Sequence, residues 1–174
     1  MRRLRHETGR AAAAARQDRG APEPETFSLN RQWEVEANLE NLPRLRALVE
    51  EECRAAGGDA RSCGDLKLAV DEACTNVIEH GYAGSAGTIR LSTARDGGTL
   101  TVVVEDRGRP FDPSGIAAPD LSAGWEDRRI GGLGWHLIRS CVDEIRYEPA
   151  ASGGNRLTLV KKIQKIEDPT WKSR

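Results

Sequence analysis

Two helical stretches stand back to back in this chain, with glycines and no strand between them. Leu42-Pro43-Arg44-Leu45-Arg46-Ala47-Leu48-Val49 continues through Cys53 as one helix, with Asn41 as a candidate N-cap and Pro43 in the first turn, where a missing N–H costs nothing. Gly57-Gly58 ends it. A second helix is expected from about Ser62 to His80, because Leu66, Val70, Ala73, Val77 and Ile78 recur at helical spacing, and Gly81 stops it. Before this pair, the alternation from Phe27 through Trp33 and Val35 reads as an amphipathic strand. After it come Thr88–Thr93, a turn at Asp96-Gly97-Gly98, and the β-branched run Leu100–Asp106. A helix over Leu133–Cys141 and strands near Glu144–Glu148 and Asn155–Lys162 complete the order β-α-α-β-β-loop-α-β-β. Single strands do not alternate with single helices, which argues against a doubly wound parallel sheet. The expected class is α+β, a mixed and mostly antiparallel sheet with its helices on one face. The other face is then open to solvent or a partner, and Trp33 is expected there.

The segment between the third strand and the third helix, residues 107–132, is rich in Gly, Pro, Ala and Asp and shows no period. A loop of that length inside a compact domain is usually a lid or a binding loop. Residues 1–25 carry six arginines and two prolines with no apolar period, and read as a disordered or weakly helical tail. Residues 26–165 form the expected domain and 166–174 a polar tail.

Charge narrows the function classes. A net charge of −1 gives no general attraction to nucleic acid or anionic membrane. Basic residues cluster only in the tail, and four Trp, two Tyr and two Phe form no stacking stripe along the strands. No stretch approaches the roughly 20 apolar residues that span a bilayer. The run Ala11–Ala15 is too short and too interrupted by arginine for a secretory signal. Cys53, Cys63, Cys74 and Cys141 show no C-x-x-C spacing, and are expected as buried thiols in a reducing cytoplasm.

Three short motifs carry the candidate chemistry. Within Asp71-Glu72-Ala73-Cys74-Thr75-Asn76-Val77-Ile78-Glu79-His80-Gly81-Tyr82, Glu72 and Asn76 lie four residues apart and so share a helix face. An Asn oxygen is a suitable neutral ligand for Mg²⁺, and a carboxylate one turn earlier can take a proton from an attacking hydroxyl. The plain alternative is a solvated polar flank. Next, Asp106 ends a buried strand and Gly108 follows it, so that a carboxylate can accept from an exocyclic amine while the backbone permits close approach. The alternative is an ordinary β-turn. Last, Gly131-Gly132-Leu133-Gly134-Trp135-His136-Leu137-Ile138 opens a helix whose free N–H groups and dipole attract an anion, with Arg128 and Arg129 just before it. The alternative is a flexible connector. His136 reads as a packed or surface residue.

Taken in order, E-x-x-x-N on a helix, D-x-G at a strand end and G-G-x-G at a helix start resemble the GHKL, or Bergerat, ATP-binding fold, a two-layer α/β sandwich. Asp71–Tyr82 and Gly131–Tyr147 resemble more closely the anti-sigma-factor serine/threonine kinases of the RsbW type, and the likeness spans about residues 27–163. The resemblance implies ATP and Mg²⁺ as cofactors, Glu72 as general base and Asn76 as metal ligand. It implies Asp106 and Gly108 at the adenine, and Arg128, Arg129, Gly131, Gly132, Leu133 and Gly134 around the phosphates, beneath a lid at residues 112–131. It also implies a sigma factor and a STAS-type antagonist as partners, and a homodimer. One departure stands out: where the wider superfamily shows D-x-G-x-G, Pro110 takes the second glycine's place and stiffens the loop.

The expected activity is therefore transfer of the ATP γ-phosphate to a Ser or Thr of the antagonist. The alternative is an ATP-responsive binding switch without catalysis. A histidine-kinase fragment would need a phospho-acceptor helix pair, and His6 sits instead in an Arg-rich polar run.

Overall fold

The computed structural model describes residues 31–111, 133–149 and 153–164. The Arg-rich tail, the lid, the C-terminal tail and Arg128, Arg129, Gly131 and Gly132 lie outside the described residues.

Five strands form one sheet: β1 (Arg31–Glu36), β2 (Thr88–Asp96), β3 (Thr99–Asp106), β4 (Glu144–Pro149) and β5 (Asn155–Lys162). Their order across the sheet is β1-β2-β3-β5-β4. Every neighbouring pair is antiparallel, so the expected parallel component is absent among the described strands. Three helices, α1 (Leu42–Ala55), α2 (Ala60–Asn76) and α3 (Leu133–Cys141), cover one face, with α2 packed against both others. None of the described helices is long and apolar enough to cross a membrane.

The core lies between the helices and alternate strand residues. Leu66, Ala69 and Val70 of α2 and Ile89, Leu91, Val102 and Val104 of the sheet have almost no exposure. Successive strand side chains point to opposite faces. Val35, Leu91 and Val104 therefore share the helix side, and Trp33 goes with them: it packs at the edge of this core, with the Arg31 guanidinium 5.2 Å from its ring. The open-face expectation for Trp33 is thus corrected, because it keeps the parity of Val35.

α1 and its entry show how local chemistry sets the bounds. A 3₁₀ turn at Leu39–Asn41 precedes the helix, and Asn38 caps it by accepting from the Asn41 backbone N–H at 3.0 Å. Asn41 makes no side-chain cap of its own; its amide donates to the Glu36 carbonyl at 3.0 Å instead. Asp59 caps α2, accepting from Ser62 N at 2.7 Å, and this hydrogen bond holds its carboxyl below the usual carboxylate range.

The chain reversal at Gly57-Gly58 brings the last turn of α1 beside the first turn of α2. It sets Cys53 and Cys63 5.5 Å apart at Cα, the span a disulfide requires, and the two are joined. Two of the four expected thiols are therefore a disulfide, while Cys74 and Cys141 remain buried and free.

A buried carboxylate ties α1 to the sheet. Glu52 has no exposure, and receives Arg31 Nη1 at 2.5 Å, Arg95 Nη2 at 2.8 Å and Thr93 Oγ1 at 3.3 Å. Removing one cation leaves that buried carboxylate under-compensated. Arg95→Ala is expected to cost about 2–3 kcal/mol, somewhat below a fully orphaned pair because Arg31 remains. Urea unfolding checks this: Glu52→Met, which removes the charge itself, should cost less than Arg95→Ala.

Candidate functional site

The end of α2 departs from the helix expected through His80. After Asn76 the chain widens into a π-helical turn, Val77–Tyr82, and closes at Ala83, whose φ of 48° is left-handed. Such turns often mark functional positions, since they re-aim the residues around them. Gly81 does not stop the helix. It lets the D-x-G loop lie against it: a Cβ on Gly108 would stand 2.7 Å from the Gly81 carbonyl carbon, and Arg109 N donates to Gly81 O at 2.9 Å. Gly108 thus serves backbone-to-backbone contact as well as any approach by a ligand. Tyr82 locks the turn, its hydroxyl accepting from Arg107 N at 2.9 Å and donating to Thr88 O at 2.8 Å.

Between this turn, β3, β5 and α3 lies a cavity of about 230 Å³. Val77, Val104, Ile138 and Leu157 give it apolar walls. Phe111 and Trp135 also line it, edge to face at 6.1 Å between ring centres. Polar groups converge at two places. At one, Asp106 is 5% exposed, and its Oδ1 accepts from Gly108 N at 2.7 Å and Asn155 Nδ2 at 2.9 Å. Burial pushes this carboxyl up, against the two hydrogen bonds that favour the charged form.

At the other place, Asn76 lines the cavity and Glu72 stands one turn before it. Gly134 of α3 faces both: a Cβ there would stand 2.6 Å from Glu72 Oε2 and 3.8 Å from Asn76 Nδ2. Any side chain at Gly134 would fill the space in front of that pair, at the helix start where an anion is favoured. Glu72 is raised above the usual carboxylate range, first by burial and then by the charges of Asp71 and Glu79.

Of the residues expected from sequence, Glu72, Asn76 and Gly134 come together, and Asp106 lines the same cavity as Asn76, with Gly108 donating its N–H to the Asp106 carboxylate. Leu133 is exposed at the first position of α3. Asn155, Tyr147, Phe111 and Trp135 were not foreseen as cavity residues. Asn155 follows Gly153-Gly154 at the start of a strand, and that glycine pair was its only local signal.

The donor set fits a nucleotide. A carboxylate able to accept from an amine and a carboxamide line one largely apolar cavity, and a second carboxylate and the start of α3 stand beside that carboxamide.

Comparison with known proteins agrees in kind. Residues 35–161 match the family model described as a histidine kinase-like ATPase domain. The anti-sigma F factor of Clostridium acetobutylicum is 32% identical over 132 residues, covering 76% of this chain and 92% of that protein. The serine-protein kinase RsbW of Halalkalibacterium halodurans is 31% identical over 149 residues, covering 83% and 88%. Among solved structures, the RsbU and RsbW domains of a Mycobacterium tuberculosis protein superpose with a TM-score of 0.53 at 23% identity. That match covers 79% of this chain and 35% of the longer one, and speaks for the fold alone.

Proposed function

The chain belongs to the histidine kinase-like ATPase domain family, and we propose that it is an ATP-dependent protein serine/threonine kinase that also acts as an anti-sigma factor. It holds a sigma factor inactive, and transfers the ATP γ-phosphate to a Ser or Thr of a small STAS-type antagonist. The observation that carries this reading is the meeting of Glu72 and Gly134 with Asn76, which lines one cavity together with the buried Asp106. Relatives named anti-sigma F factor and serine-protein kinase RsbW support it.

Phosphoryl transfer asks a protein mainly for positioning and charge neutralisation. Asp106 accepts from the adenine amine, and the apolar walls hold the ring. Backbone N–H groups at the start of α3, with Gly132 and Gly134, receive the phosphates, and Arg128 and Arg129 add positive charge. Asn76 is the protein ligand for Mg²⁺, which when bound shields phosphate charge. Glu72 orients the acceptor hydroxyl and takes its proton. Residues 26–165 are the ATP-binding unit, residues 112–131 its lid, and 1–25 and 166–174 its flanking tails. The protein works in the cytoplasm as a homodimer.

The test is incubation of the full chain with Mg²⁺, γ-labelled ATP and an antagonist encoded beside it. Label on a Ser or Thr of the antagonist is expected. Nucleotide binding with no transfer would replace the kinase by an ATP-responsive switch. No nucleotide binding would overturn both.

A further inference from the structure

Asn155 is the first residue of β5, 7% exposed, and opposite Asp106 in the strand register. Its amide has no spare capacity. Nδ2 donates to Asp106 Oδ1 at 2.9 Å and to the Arg109 carbonyl at 3.0 Å. Oδ1 accepts from the Tyr147 hydroxyl at 2.7 Å and from Phe111 N at 2.9 Å. Two donors and two acceptor sites are all that a carboxamide has. The same Phe111 N–H also reaches the Tyr147 oxygen at 3.1 Å. Tyr147 and Phe111 therefore grip one end of the amide, and its other end can only present N–H to Asp106.

Two consequences follow for Asp106. Its Oδ1 is saturated by Gly108 N and Asn155 Nδ2, and no described residue donates to Oδ2. Oδ2 is the oxygen left to meet a ligand. Hydrogen bonds that donate to a carboxylate also favour its ionised form, and an ionised carboxylate only accepts. A purine with a 6-amino group offers the donor this oxygen needs, whereas a 6-oxo purine offers a second acceptor.

We propose that Asn155, held by Tyr147, is the positioning residue that makes this pocket choose 6-aminopurine over 6-oxopurine nucleotides, by keeping Asp106 an acceptor with Oδ2 facing the cavity. The proposal rests on the nucleotide reading above and adds what sets the base preference. Without Asn155, burial would act on Asp106 against Gly108 N alone. The carboxyl would then hold its proton to higher pH, and a protonated Oδ2–H donates to a 6-oxo group. The other titratable groups around it are Cys74 on α2, His80 in the π-helical turn, Arg109 in the loop and Tyr147 on β4. Cys74 is pushed up to about 12 and stays neutral throughout the range of interest.

The test measures dissociation constants of ATP and of inosine triphosphate, its 6-oxo counterpart, for the full chain with Mg²⁺ between pH 6 and pH 8.5. Wild type should prefer ATP by about 100-fold or more, as sites built to bond an N–H reject analogues that lack it. Asn155→Leu should narrow that ratio at least about tenfold at pH 6, with recovery as pH rises and Asp106 ionises. Tyr147→Phe removes only the hydroxyl and should narrow it by roughly threefold, the loss of one of the two bonds on Oδ1. If Asn155→Leu does not fold, Tyr147→Phe decides alone. Ratios unchanged in variants that still bind ATP, or equal losses for both nucleotides, would overturn the proposal while the nucleotide reading stands. A wild type that binds neither nucleotide overturns both.

Discussion

Glu72→Gln is expected to lower phosphate transfer from ATP to the antagonist about 10²–10⁴-fold, the usual contribution of a positioned general base. ATP affinity should stay the same or improve, because the change removes a negative charge beside the phosphate end of the cavity. Glutamine keeps the size of the side chain and its place against Gly134, so that packing between α2 and α3 is retained. What it loses is the ability to take a proton. Burial and the neighbouring charges of Asp71 and Glu79 raise this carboxyl above the ordinary glutamate range, which brings it closer to the operating pH and makes it a better acceptor than a solvated one. The same cause gives the wild-type rate an acid limb: transfer falls as pH drops through that raised pKa and Glu72 becomes protonated. Single-turnover transfer of labelled phosphate, with ATP affinity measured calorimetrically, separates the two effects. Transfer at the wild-type rate in the variant would remove Glu72 from the chemistry.

Why Glu72 and Asn76 could be found from sequence is plain. Their relation is local, set by a helix's own spacing, and the apolar stripe of Leu66, Val70 and Ala73 already showed which face they were not on. The same holds for α3 and β5, whose bounds at Leu133–Cys141 and Asn155–Lys162 are those the pattern predicted. What stayed hidden depends on partners distant in the chain. Trp33 faces the helices because its strand's register puts it across from Leu91. Cys53 meets Cys63 because of how one turn folds back. The π-helical turn has no composition of its own; it exists where Gly81 must lie against Gly108. Asn155 and Tyr147 reach the site only because β5 pairs with both β3 and β4, which sets Asn155 opposite Asp106 and brings Tyr147 beside it. Base recognition is thus assembled by the sheet, whereas the catalytic pair belongs to one helix.

That division predicts a large effect at a position with no chemistry. Gly154→Ala is expected to cost about 2–5 kcal/mol, a sum of about 1–2 for a left-handed alanine and about 1–3 for overpacking. Gly154 has a φ of +97°, and a Cβ on it would stand 2.0 Å from the Asp106 carbonyl oxygen and 2.6 Å from Arg107 Cα. Both are backbone atoms, so no side-chain rotation relieves the clash; β3 and β5 must part where Asn155 meets Asp106. Gly153 supplies the control. Its φ is +83°, also left-handed, but a Cβ there meets nothing within 4 Å. Gly153→Ala should therefore carry the backbone cost alone, about 1–2 kcal/mol. Since domains are stable by only about 5–15 kcal/mol, the first change leaves little margin and the second is tolerated. Paired urea titrations of the two variants measure the difference, and equal costs would mean that the β3–β5 junction gives way freely. Should Gly154→Ala stay folded, it should lose ATP affinity that Gly153→Ala keeps, because the strands part at the residues that aim Asp106 into the cavity.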